Sequence, residues 1–276
     1  SLQTRYGSNT NNTFVASTDF DSDGNLWVSN PFTSSPLSVM SVEGEWKSFY
    51  CGNSAINTLC TDLVVDNQYG YVWMIINGTG ILVYDYNQTP LDETDDQYKI
   101  IGTAEGSGNL PSSFVNCLAI DKDGEMWIGT DQGPAVLYNP SSIFSDPNFD
   151  VQNILIDTSG TLQYSLENED ITDILIDGAN RKWISTHGGG LFLMSEDGTQ
   201  TVFSFSASNS PLFSDNISCL ALDDNSGELF IGTEKGVLGF RSTATLPAAS
   251  FQSLEVFPNP VRPDYSGYIS VRGMMN

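Results

Sequence analysis

A short pattern recurs five times along the chain: an apolar run, an aspartate, a tight polar turn, and a second apolar run built around a large aromatic. The copies run Phe20-Asp21-Ser22-Asp23-Gly24-Asn25-Leu26-Trp27, Val65-Asp66-Asn67-Gln68-Tyr69-Gly70-Tyr71-Val72-Trp73, Ile120-Asp121-Lys122-Asp123-Gly124-Glu125-Met126-Trp127, Ile176-Asp177-Gly178-Ala179-Asn180-Arg181-Lys182-Trp183 and Leu222-Asp223-Asp224-Asn225-Ser226-Gly227-Glu228-Leu229-Phe230. Asn180 takes the glycine place in the fourth copy and Phe230 the tryptophan place in the fifth. The period is roughly fifty residues, which is the length of a propeller blade. In each copy Asp can hydrogen-bond its own backbone and Gly can take positive φ, so the pattern predicts a strand, a tight turn and a second strand. Gly80, Gly133, Gly190 and Gly236 then open a further hairpin into Ile81–Tyr84, Pro134–Tyr138, Leu191–Met194 and Val237–Phe240.

A small four-stranded sheet cannot bury both faces by itself, so the copies must stack, and stacking around an axis leaves only short protected edges. The sequence therefore predicts an all-β fold, a β-propeller of four-stranded blades, over residues 1–250. The blades fall near 14–56, 57–114, 115–170, 171–216 and 217–250, with 251–276 as a linker and the start of a further module. The recurring aromatic is expected as the apolar plug between neighbouring sheets. Five copies fit either a closed five-bladed ring or part of a larger one, and a ring of about seven is favoured. Ser1–Gly7 has no apolar signal-peptide core and the chain stops just after a strand-like stretch, so it reads as a piece of a longer protein whose export signal is removed or lies upstream.

Composition narrows the partners. The 34 Asp and Glu against 10 Lys and Arg give a formal net charge of −24. Displacing counterions from phosphates takes clustered cations, so nucleic acid is excluded, and the same sign disfavours docking on a bare anionic lipid surface. No apolar run reaches the length of a membrane span.

The units Cys117–Gly133 and Trp183–Leu191, with the preceding Gly108–Val115, resemble the two-component-regulator propeller repeat, and the likeness extends over about residues 14 to 242. Val256-Phe257-Pro258-Asn259-Pro260-Val261-Arg262-Pro263-Asp264-Tyr265-Ser266-Gly267 resembles the junction between a propeller and a C-terminal immunoglobulin-like sorting module of type IX secretion. Together these resemblances imply an exported protein of the periplasm or outer-membrane surface, working with a sortase-like partner that attaches anionic lipopolysaccharide to cargo. On that basis the chain is expected to be a non-enzymatic scaffold or recognition component. Two other readings share the repeat: the oligosaccharide-sensing ectodomain of a hybrid two-component system, and a propeller lyase or hydrolase.

Asp19, Asp21, Asp23 and Gly24 match the first half of a calcium loop, but the twelfth position is Asn30 instead of a bidentate Glu, so a repeat turn is the better reading. His187 is the single histidine, which removes His-cluster zinc sites and leaves no catalytic constellation. No cofactor, metal or catalytic residue is expected. Asp131, His187 and Glu234 each stand four residues beyond a blade aromatic, in turns that share one propeller face with the blade-to-blade connections. With Asn77 they are the candidate ligand-binding residues. Cys117 and Cys219 occupy equivalent positions of non-adjacent blades and are expected as buried small hydrophobes, whereas Cys51 and Cys60 flank one connection, where a local disulfide fits an oxidising compartment.

Overall fold

The aspartate of each repeat organises the turn that follows it. In the computed structural model, Asp21 Oδ1 accepts the backbone N–H of Asp23 (3.1 Å) and Asn25 (2.9 Å), while Oδ2 accepts Asn25 Nδ2 (2.8 Å) and Trp27 Nε1 (3.1 Å). Asp121 repeats the arrangement with Asp123, Glu125 and Trp127 Nε1. One carboxylate thus closes the turn with one oxygen and fixes the blade tryptophan with the other. These bonds engage both oxygens of Asp21, the central carboxylate of the calcium reading. The turn requires positive φ at its third position beyond Asp, which Gly24 (85°) and Gly124 (81°) take freely and Asn180 (59°) takes as the residue that tolerates it next best.

The structure describes residues 2–4, 12–147, 149–158, 160–242 and 244, with backbone only at 157–158 and in two short strands near the C-terminus. Blade 1 is β1 (Ser17–Phe20), β2 (Leu26–Ser29), β3 (Leu37–Met40) and β4 (Trp46–Phe49); blade 2 is β5 (Cys60–Asp66), β6 (Tyr71–Ile76), β7 (Gly80–Asp85) and β8 (Gln97–Ile101). Blade 3 comprises β9 (Val115–Ile120), β10 (Met126–Thr130), β11 (Gly133–Leu137) and a two-residue β12 (Gln152–Asn153). A separate hairpin, β13 (Leu155–Thr158) with β14 (Thr161–Tyr164), follows it, an insertion that the repeat pattern does not signal. Blade 4 is β15 (Ile171–Ile176), β16 (Lys182–Thr186), β17 (Leu191–Met194) and β18 (Thr201–Phe205). Blade 5 shows three strands among the described residues, β19 (Ile217–Asp223), β20 (Glu228–Thr233) and β21 (Gly236–Arg241). Every sheet is an antiparallel meander, and β22 (Glu255–Phe257) pairs with β23 (Ser270–Arg272) near the C-terminus. The remainder of 251–276 lies outside the described residues, so the sorting-module reading of it does too.

First strands pack on first strands in the order β1, β5, β9, β15, β19, which places them along a common axis with the later strands of each blade outward. The four tryptophans fill the seams between blades. Trp27, Trp73, Trp127 and Trp183 are all 0% exposed, and each lies in a cluster with the next blade: Trp27 with Leu63 and Val65, Trp73 with Leu118 and Ile128, Trp127 with Ile174 and Ile184, Trp183 with Leu220 and Ile231. Phe230, at the same position of blade 5, is 42% exposed, so among the described residues the far face of that blade is not covered as the others are. Polar seams supplement the apolar ones. Asp19 Oδ2 accepts the N–H of Val65 (2.8 Å), and Asp173 Oδ2 that of Leu220 (2.7 Å), each joining the first strands of neighbouring blades.

The cysteines part company with expectation. Cys51 and Cys60 are both buried in the seam between blades 1 and 2, yet they are free thiols, each directed to a carbonyl two residues back (Phe49 O, 3.6 Å; Thr58 O, 3.9 Å). Burial pushes the Cys60 thiol up to about 12 and raises that of Cys51 further. Cys117 is buried as expected, but Cys219 is exposed, because among the described residues no further blade packs on blade 5.

Candidate functional site

The register of the first strands determines which side chains reach the face where the candidate residues lie. In four blades the pairing of the first two strands shifts at one level, and the residue skipped by the ladder is Thr61 in blade 2 (with Asp62), Asn116 in blade 3, Thr172 in blade 4 and Ser218 in blade 5. A bulge of this kind re-aims the extra side chain. In blades 3, 4 and 5 the skipped residues, Asn116, Thr172 and Ser218, line one cleft. The strand ends just above are tied to the turns between second and third strands: the N–H groups of Asn77, Asp131 and His187 donate to the carbonyls of Leu59 (3.0 Å), Phe114 (3.2 Å) and Asp170 (2.8 Å).

Between blades 3, 4 and 5 these elements form a cleft of about 560 Å³, lined by Asn116, Asp170, Thr172, His187, Asn216, Ile217, Ser218 and Glu234. Of the candidates named from sequence, His187 and Glu234 come together here. Asn77 and Asp131 occupy the matching turns of blades 2 and 3 but do not line the cleft, and Asp131 directs its Oδ1 into the protein, without a hydrogen-bond partner there. Six lining residues were missed. Asn116, Thr172 and Ser218 carry a signal in the sequence, since each stands five residues before its turn aspartate; Asp170 and Asn216 immediately precede a first strand.

The hydrogen bonds of the cleft tie its walls together. Asn116 Nδ2 donates to Asp170 Oδ1 (2.8 Å) and to Ile171 O (2.8 Å), linking blade 3 to blade 4. Thr172 and Ser185 share a hydroxyl bond of 2.8 Å, and Ser218 Oγ donates to Gly232 O (3.2 Å). Glu234 receives Ser214 Oγ on Oε1 (2.8 Å) and Asn216 Nδ2 on Oε2 (3.4 Å), and these two bonds hold its carboxyl below the ordinary range. His187 Nδ1 lies 3.9 Å from Asp170 Oδ2, and both side chains are exposed. Among the described residues no group of three or more His, Cys, Asp or Glu converges as a metal site. A second hollow, about 210 Å³ between blades 4 and 5, is lined mostly by apolar residues such as Leu191, Phe205, Leu212 and Phe240, with Ser210 as its one polar side chain.

Comparisons with known proteins bear on this architecture. The family model "Two component regulator propeller" matches residues 109–132, the end of one blade connection and the first hairpin of blade 3. A search of curated proteins by sequence finds no match. Among solved structures, PorZ, described as an essential bacterial surface component of the type-IX secretion system of Porphyromonas gingivalis, superposes with a TM-score of 0.78 and 28% identity over 97% of this chain and 37% of that one. The extracellular domain of the hybrid two-component system BT3049 of B. thetaiotaomicron matches with a TM-score of 0.60 and 24% identity, over 87% of this chain and 29% of that one. Virginiamycin B lyase from Staphylococcus aureus, at 11% identity and a TM-score of 0.52 over 83% of this chain and 70% of the other, shares the fold alone. The chain thus spans about a third of the length of the first two. The first is described as a surface component and the second as an extracellular domain. This chain is a propeller-repeat protein similar to PorZ.

Proposed function

We propose that this chain is a non-enzymatic recognition propeller of the cell envelope, exported to the periplasm or outer-membrane surface, where it serves type IX secretion by holding partners at the mouth between blades 3, 4 and 5. The observation that carries the reading is the likeness to PorZ along nearly the whole chain. The cleft supports it chemically: the groups that converge there are neutral amides, hydroxyls, carboxylates and the His187 imidazole, several of them tied into one another, an arrangement suited to holding a ligand in place. Recognition of this kind needs a rigid frame, and the bulged first strands supply one. Partners of this site are the sortase-like protein and the cargo that passes it, with glycolipid as a further contact. The reading is tested in cells of the source organism by exchanging the chromosomal copy for a form carrying Asn116→Ala, Asn216→Ala and Ser218→Ala. Loss of surface-attached cargo with normal levels of the propeller is expected. Wild-type cargo attachment would sink the proposal.

A further inference from the structure

The hydrogen-bonding capacity of the cleft is lopsided, and the imbalance selects its ligand. The protein consumes most of the local donors itself. Both N–H bonds of the Asn116 amide are spent on Asp170 and Ile171, the Ser218 hydroxyl on Gly232, and one N–H of Asn216 on Glu234. The rim amides of His187, Gly188 and Gly190 are likewise committed, to Asp170 O (2.8 Å) and to Asp215 O (3.1 and 3.2 Å). What the walls retain for a ligand is chiefly oxygen: the amide Oδ1 atoms of Asn116 and Asn216 and the exposed carboxylates of Asp170 and Glu234, against the ring of His187 beside Asp170 and the second N–H of Asn216 as the remaining donors.

Anions need donors, so phosphate, sulfate and carboxylate groups have little to bind here, and the chain's net charge of −24 adds repulsion. A metal ion needs ligands converging on one point, and the described residues hold no such group. The two carboxylates instead line a cleft of about 560 Å³, which suits an organic cation. Among the described residues the lysine beside the cleft is Lys235, whose exposed Nζ stands 3.9 Å from Glu234 Oε1 at the surface. Ammonium and guanidinium groups carry several N–H donors and no acceptor, the complement of such walls. We therefore propose that the mouth between blades 3, 4 and 5 binds a protonated amine or guanidinium group, with Asp170 and Glu234 receiving it and Asn116 and Asn216 accepting its remaining N–H bonds. The inference rests on the mouth being the recognition site and adds the charge of what it recognises.

The test is titration calorimetry of the purified chain with a hexalysine peptide, spermidine, a hexaglutamate peptide and a neutral glucose hexasaccharide. Asp170→Asn/Glu234→Gln is compared with Glu43→Gln/Glu45→Gln, which removes the same charge from an exposed turn at the opposite end of blade 1. The proposal expects a cationic ligand to bind and its affinity to fall about tenfold or more in the mouth variant, with the far-end variant like wild type. Stronger binding of the peptide than of spermidine assigns the cation to a polypeptide, and the reverse to a free polyamine. Equal losses in both variants mean diffuse attraction and overturn the inference. Binding of the hexasaccharide or of hexaglutamate that depends on Asn116 and Asn216 overturns it too, but leaves the mouth as the recognition site. Binding of any ligand that is indifferent to every mouth substitution overturns both readings. The four side chains point to solvent, so unchanged thermal unfolding separates these outcomes from misfolding.

Discussion

Lys182 illustrates how much a single residue of the repeat can hold. It is 0% exposed, donates to Asn180 O (2.8 Å) and to Glu196 O, pairs with Asp121 Oδ2 at 2.9 Å across the seam between blades 3 and 4, and stands 4.6 Å over the Trp127 ring. Removing one partner of a buried pair leaves the other charge uncompensated, so Lys182→Met should cost about 3 kcal/mol or more in urea unfolding. The sequence showed the turn aspartates and the tryptophans at once, because their spacing repeats. It did not show that Lys182 reaches back to Asp121, since that contact links residues in different repeats. The turn carboxylates also decide against calcium. Asp21 already receives four hydrogen bonds, so millimolar calcium should leave the thermal midpoint unchanged. A rise of several degrees would show that the loop binds metal after all.

At the scale of strands, the first strand of each blade lines the axis, and in blades 2 to 5 it also carries a bulge. Cys117 on β9 needs the absence of a side chain opposite it: a Cβ at Gly129 would lie 2.4 Å from Cys117 Sγ and 2.7 Å from Ile171 Cγ2. Gly129→Ala should therefore destabilise the protein by about 1–3 kcal/mol, measured by denaturant unfolding. Blade 5 keeps the same pair, Cys219 with Gly232. Asp173 on β15 sets a pH dependence. Burial pushes its carboxyl up to about 6 from an ordinary 3.8, with Asp62 adding to the shift, although the N–H groups of Leu220 and Ile174 oppose it. The folded state thus holds this proton over a range where the unfolded state has lost it, so stability falls as pH rises from about 4 to about 6 and stays lower above. Asp96, also near 6 through burial, acts in the same direction. Unfolding free energy should be greater at pH 5 than at pH 7.5, and Asp173→Asn should shrink that difference by on the order of 1 kcal/mol. An unchanged difference would remove Asp173 from the effect. The bulges themselves were half legible: polar residues stand five places before the turn aspartates of blades 2 to 5, where blade 1 has Ala16, but only strand pairing shows that the ladder skips them.

For the whole molecule, the telling contrast lies between equivalent aromatics. Trp183 is covered by blade 5, whereas Phe230 is 42% exposed. Trp183→Ala should cost about 3–5 kcal/mol, but Phe230→Ala well under half of that, and equal costs would mean that something covers the far face of blade 5. Architecture, strand order and the seam-filling role of the tryptophans followed from the chain alone, because a blade is a local unit: its turns, its alternation and its plug lie within about fifty consecutive residues. The mouth did not follow in the same way. Its walls come from Asn116, Asp170, His187, Asn216 and Glu234, residues of three different repeats. They meet only because the blades are rotated against one another by packing in the seams. Sequence periodicity reports what each blade contains; which blades face one another across a cleft, and which donors they have already spent on each other, is decided by the angle at which the sheets stack.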